Sequence, residues 1–162
     1  MPPSLLFDLS SIDLTAEPLF STEAIGGVNP QRFEMRQLDG ILWYDKDRSQ
    51  ILGYKDVTDK EFWVRGHIPG RPLMPGVIMI EAAAQLSSFF LKEIFKEPGF
   101  IGFAGIQNVK FRSIVEPGQR LLLLGQIIKY KHRGLRTHVE TQVQGVVDGT
   151  MVFDAVVAGM RI

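Results

Sequence analysis

Apolar residues change their spacing along this chain, and each change predicts an element. Residues 1 to about 30 show no clean period: Leu5, Leu6, Phe7, Leu14, Leu19 and Phe20 stand among Ser, Pro and acidic residues. They read as an irregular or short-helical extension on a domain surface, ending near Gly26-Gly27. Two strand-like runs follow, Gly40-Ile41-Leu42-Trp43-Tyr44 and Gln50-Ile51-Leu52-Gly53-Tyr54, around the turn-rich spacer Asp45-Lys46-Asp47-Arg48-Ser49. They predict a first hairpin. Across residues 77–91, Val77, Ile78, Met79, Ile80, Ala82, Ala83, Ala84, Leu86, Phe89, Phe90 and Leu91 leave no polar face. A helix apolar all round is a buried one, so a central core helix is predicted. Pro75-Gly76 mark its start, and by Pro98-Gly99 it has stopped.

Residues 100–112, 121–130, 135–147 and 151–161 then predict four strands, separated by turns at Glu116-Pro117-Gly118-Gln119, Arg133-Gly134 and Asp148-Gly149. The third is the cleanest period-two segment, with Leu135, Thr137, Val139, Thr141, Val143, Gly145 and Val147 alternating with mostly polar residues. Asp148-Gly149 suits a type I′ turn, which needs positive φ. Two strands, a long helix and an antiparallel meander make an α+β plan, the sheet wrapped round the helix.

The length, 162 residues, fits one domain that buries roughly 70% of its unfolded surface. Without cysteine there is no disulfide framework, thiolate zinc site or thiol nucleophile. A formal net charge of zero argues against a general nucleic-acid binder. The charge is uneven: residues 1–40 hold six acids against two bases, and residues 107–138 hold seven Lys and Arg against one acid, Glu116. No basic n-region opens the chain, no stretch suits a membrane span, and a cytoplasmic protein is expected. Neither a GxGxxG nor a Walker loop is present, so nucleotide binding has no support.

Glu81 is the only ionisable side chain between Gly76 and Leu91. A buried carboxylate must be paired, hydrogen-bonded or protonated. Gln85, four residues on, shares its helix face. Upstream, a loop too rich in Gly and Pro for helix or strand carries His67. A stiff loop holding a His, ahead of a helix whose second turn holds a Glu, has the form of an acid/base pair. A solvated His and a structural Glu are the blander reading.

These residues resemble a known signature. GHIPGRPLMPGVIMIEAAAQ, residues 66–85, is similar to the GHFPGxPxMPGVxxxEAxAQ of the β-hydroxyacyl-acyl-carrier-protein dehydratases of type II fatty acid synthesis. Glu at position 81 is the FabZ choice, where the FabA branch has Asp. Lys55-Asp56-Val57-Thr58 before Glu61-Phe62, Phe103-Ala104-Gly105-Ile106 and Arg133-Gly134-Leu135 extend the similarity over about residues 31–162. That leaves residues 1–30 as an extension and 31–162 as the dehydratase domain.

The resemblance implies a hotdog fold and dehydration of (3R)-3-hydroxyacyl-acyl carrier protein to the trans-2-enoyl product, without a cofactor or metal. It implies His67 as base at C2, Glu81 as acid toward the C3 hydroxyl, and the Gly76 N–H beside Pro75 as oxyanion donor. Gln85 would orient Glu81, and Phe103 would line the acyl tunnel. It further implies a homodimer, sometimes a trimer of dimers, with the His and Glu of one site coming from different protomers. Gly102 departs from the Tyr often found there, which predicts a wider tunnel. Residues 31–39 depart from the usual HRYPFLLVDR, with Arg36 and Gln37 in apolar positions. Lys110, Arg112, Lys129, Lys131, Arg133 and Arg136 are either solvated strand edges or a docking surface for acidic acyl carrier protein. His132 and His138 read as surface residues without a carboxylate partner, and no metal site is expected. Three rivals remain: a hotdog thioesterase, a FabA-type dehydratase/isomerase, and a non-catalytic acyl-binding hotdog protein.

Overall fold

The structure, a computed structural model, describes residues 1–161. Among these, six strands form one antiparallel sheet: β1 (Gly40–Asp45), β2 (Gln50–Asp56), β3 (Ile101–Phe111), β4 (Arg120–Arg133), β5 (Arg136–Val147) and β6 (Thr150–Arg161). A short helix, α1 (Thr22–Gly26), and a 3₁₀ turn at Phe33–Met35 precede β1. The long helix, α2 (Gly76–Phe89), joins β2 to β3 and runs on through a looser π turn at Phe90–Ile94. Its 14 residues give a rod of about 21 Å.

Ala82, Ala83, Leu86, Phe89 and Phe90 seal against Ile41, Ile51, Leu121, Leu123, Val143 and Phe153. Strands β2 to β6 all touch α2, so the sheet curves round it. This is the hotdog fold expected from the sequence.

Two expectations are corrected. The four later strands are not a simple meander. The strand order is β1-β2-β4-β5-β6-β3, so β3 pairs with β6 at the far edge and β4 pairs with β2. The long helix carries the chain across the sheet, and β3 begins at the opposite edge from β2. Nor is α2 buried on every side. Val77 is 73% exposed, and Glu81, Ala84 and Ser88 lie partly exposed along the same row. Nearby, β3 leaves one edge unpaired and exposes Phe103, Ile106, Val109 and Phe111. The Phe111 ring lies against Gly76, where a Cβ would come within 2.6 Å of it. The exposed helix row and the exposed strand therefore meet.

Strand β5 alternates cleanly from Arg136 to Val143, and then both faces become buried. The reason is the N-terminal segment. Leu6, Phe7, Leu9, Ile12 and Leu14 pack on the outer face of the sheet, over Leu52, Leu122, Leu124 and Val146. Gln144 ties it down: its amide accepts from Leu6 N at 2.9 Å and donates to Ser4 O at 2.9 Å. Asp148 and Gly149 take φ of 48° and 78°, the turn chemistry expected between β5 and β6.

Candidate active site

Glu81 sits in the second turn of α2, held from one side. Gln85 Nε2 donates to Glu81 Oε1 at 2.9 Å and to Met35 O at 2.6 Å. Gln85 Oε1 accepts from Gln37 N at 3.0 Å. All three bonds fix which end of the amide faces the carboxylate, because Gln85 Oε1 meets a donor and Nε2 meets two acceptors. Asn29 Nδ2 also donates to Gln85 O at 3.0 Å. Segment 29–37 is therefore the backing of Glu81. Sequence reading gave Gln85 its role but assigned none to Asn29, Met35 or Gln37; their sequence carries no pattern that points to α2.

His67 lies on the loop before α2, exposed to solvent. Its N–H donates to Trp63 O at 2.7 Å, its carbonyl accepts from Leu73 N at 2.8 Å, and the His67–Ile68 peptide is cis. The ring Nδ1 lies 2.7 Å from Leu73 O. A carbonyl only accepts, so Nδ1 carries a proton, and in the neutral ring Nε2 is the nitrogen with the free lone pair.

The base of the loop is pinned by ions. Lys55 Nζ, nearly buried, lies 3.1 Å from Glu61 Oε1 and 3.6 Å from Asp39 Oδ2. Glu61 Oε2 accepts from Thr58 N and Thr58 Oγ1, both at 3.0 Å. Burial pushes the Asp39 carboxyl up, against the pull of Lys55. The Thr58-x-x-Glu61 spacing, a capping-box pattern, was the signal available for this turn.

At the start of α2, Pro75 gives no side-chain cap. The first N–H groups of a helix have no intrahelical partner and point along the positive end of the dipole. Gly76 supplies one, with the Phe111 ring beside it.

Glu81, Gln85, Ser88, Gly102 and Phe103 line one cavity of about 220 Å³. His67, Pro75 and Gly76 do not line it. Within one chain the structure thus gathers Glu81 with Gln85 and Phe103, and leaves His67 with Gly76 outside that group. Gly102 adds no side chain to the cavity wall.

The basic residues separate into two sets. Lys129, Lys131, Arg133 and Arg136 border one groove of about 320 Å³ at the β4–β5 end, with His138. Lys110 lies on β3 and Arg112 just past its end, and Arg112 Nε pairs with Asp154 Oδ1 at 2.8 Å. The two histidines do have carboxylates nearby, contrary to the sequence reading. His138 Nε2 is 3.3 Å from Glu140 Oε1, and His132 Nε2 is 4.0 Å from Glu97 Oε2. Glu97 comes from the segment after α2, which no local pattern could link to β4. Among the described residues no cluster of His, Asp or Glu has metal-site geometry. Among the described residues no helix is long and apolar enough to cross a membrane.

A curved antiparallel sheet round one helix, with a clamped carboxylate in the second turn of that helix, defines a hotdog protein with an acid poised at a cavity. The FabA-like domain family matches residues 29–156. The 3-hydroxyacyl-[acyl-carrier-protein] dehydratase FabZ of Fusobacterium nucleatum is 37% identical over 132 residues, 81% of this chain and 92% of that protein. FabZ of Desulfotalea psychrophila is 35% identical over 131 residues, 78% of this chain and 83% of that one. The chain belongs to the FabA-like dehydratase family.

Among solved structures, the dehydratase heterocomplex ApeI:P from Xenorhabdus doucetiae superposes with a TM-score of 0.69 at 12% identity, covering 85% of this chain and 90% of that one. Cj0977, a virulence protein of Campylobacter jejuni, gives 0.61 at 14% identity, covering 87% and 88%. At these identities the likeness is one of fold.

Proposed function

We propose that the chain removes water from a (3R)-3-hydroxyacyl chain carried on acyl carrier protein, giving the trans-2-enoyl thioester of fatty acid biosynthesis. His67 Nε2 takes the proton from C2. The Gly76 N–H stabilises the charge that develops on the thioester oxygen. Glu81 gives a proton to the C3 hydroxyl, which leaves as water. The observation that carries the reading is the His67 Nδ1–H bond to Leu73 O, which presents Nε2 as the basic nitrogen.

His67 does not line the cavity around Glu81 in the same chain, which supports a site shared between two chains. The unpaired β3 edge, with its exposed Phe103, Ile106, Val109 and Phe111, and the exposed Val77 of α2 support a homodimer in which the His67 loop of one protomer faces Glu81 of the other. Trimers of such dimers are compatible with this arrangement. Residues 1–30 serve as a packing extension of a 31–162 catalytic domain. The enzyme works in the cytoplasm, and the Lys129, Lys131, Arg133 and Arg136 groove receives the acidic carrier protein, with Lys110 and Arg112 at a separate flank.

The test is product analysis with 3-hydroxyacyl carrier-protein substrates of several lengths. A trans-2-enoyl product, lighter by one water, is expected. Release of the free acid would identify a thioesterase instead, and a shifted double bond a FabA-type isomerase. Unchanged bound substrate at every length would leave only acyl binding.

A further inference from the structure

Beside Gln85 lies a second and much smaller cavity of about 10 Å³, and Gln31 and Gln85 border both it and the cavity that Glu81 lines. Asn29, Gln31 and Arg36 line it together with Gln85. Each of the three turns one buried polar atom to no hydrogen-bond partner among the described residues: Asn29 Oδ1, Gln31 Oε1 and Arg36 Nε. Asn29 is only 3% exposed, and its amide orientation is settled, since Nδ2 donates to Gln85 O at 3.0 Å. Oδ1 is thus a buried acceptor left without a donor, on a residue that lines the cavity. A buried polar atom that has given up water and gained no partner destabilises the fold. Three beside one cavity call for a common ligand.

The chemistry of that ligand follows from the three atoms. Two carbonyl oxygens need donors, and the Arg36 Nε–H needs an acceptor. A metal cation would satisfy the oxygens but face the guanidinium. An anion would satisfy the guanidinium but face two oxygens. A water donates twice and accepts at least once, and the volume is close to the minimum that one water needs. We infer that this cavity binds a single ordered water, bridging Asn29, Gln31 and Arg36, and that these three are positioning residues for Glu81.

The link to Glu81 runs through segment 29–37. Asn29, Met35 and Gln37 hold Gln85, and Gln85 holds Glu81. The water ties the start of that segment to Arg36, next to Gln37. Arg36 stands where the family pattern is apolar, so the device belongs to this chain rather than to the family pattern. The positioning role rests on Glu81 being the catalytic acid; the water site does not.

A crystal structure of the full-length protein at high resolution tests the site. The expected result is one water peak within about 2.7–3.2 Å of all three atoms. A cavity without density where other buried waters are seen, a direct bond between the side chains, or a cation in the site would overturn it. Kinetics test the role, in Arg36→Leu and Arg36→Gln. Leu removes the donor; Gln loses the charge but restores an N–H. Arg36→Leu is expected to lower kcat about tenfold, less than the roughly hundredfold of a full ångström of misplacement, with KM unchanged. Arg36→Gln should recover most of that loss. Equal activity in the two variants, or a change confined to KM, refutes the role. Should Arg36→Leu fail to fold, Arg36→Gln must still retain near-native kcat, and a large loss there refutes the role as well. Wild-type protein that never dehydrates a substrate would sink the proposed function but leave the water peak to stand or fall alone.

Discussion

Replacing Gln85 by Leu is the most informative single change to the site. The side chain is 3% exposed and makes three hydrogen bonds. Leu fills similar space and makes none of them. The buried Gln37 N–H then has no acceptor, which costs about 1–3 kcal/mol. Met35 O belongs to an exposed residue and can turn toward water, so it adds less. A total of about 2–3 kcal/mol lowers Tm by roughly 5–10 °C for a domain of this size. The effect on rate is separate. Glu81 loses the amide that fixes its carboxyl, and kcat is expected to fall roughly ten- to a hundredfold. Calorimetry gives the first quantity, and turnover of a soluble 3-hydroxyacyl thioester well below the variant's Tm gives the second. A folded Gln85→Leu protein with wild-type kcat would refute the claim that Gln85 orients the acid.

Three further outcomes are expected. His67→Asn and Glu81→Gln should each cost about 10²–10⁴ in kcat through loss of general acid or base, with little change in Tm; a rate near wild type in either removes that residue from the mechanism. Glu97 offers a pH test. Burial pushes its carboxyl up, but bonds from Thr137 and Tyr130, aided by His132 and Arg161, outweigh this and hold it below the ordinary value. A lowered folded value means stabilisation present above the unfolded value of about 4.5 and lost as pH falls through the folded one. Glu97→Gln should thus destabilise by about 1–3 kcal/mol at neutral pH and lose that deficit in acid, read by denaturant melts across pH; a deficit that grows in acid contradicts the sign. Gly102→Tyr should narrow the cavity that Glu81 and Phe103 line, lowering turnover of long acyl chains relative to short ones; an unchanged length profile would count against a wall at this position.

Much of the fold was legible because its signals are local. The β1–β2 hairpin, α2 and the alternation of β5 each follow from spacing within one segment, and Asp148-Gly149 names its own turn. Pairing across the sheet is not local. Nothing within residues 101–111 says that they lie beside β6 rather than β4. The same limit explains the site. Glu81 and Gln85 were readable as an i, i+4 pair. Their backing by Asn29, Met35 and Gln37 was not, because it crosses about fifty residues of chain. The reading of α2 as buried all round failed at Val77 for a different reason. Apolar composition says that a face leaves water, and not whether its own sheet or another surface covers it.

The central claim is that one working site needs His67 and Glu81 from two subunits. Co-expressing His67→Asn and Glu81→Gln chains tests it directly. Each variant alone is expected to be nearly inactive. In a mixed dimer one of the two sites keeps both native groups, so random pairing should restore about a quarter of wild-type activity. A mixture no more active than its separate variants, in protein shown to contain mixed dimers, would contradict the shared site.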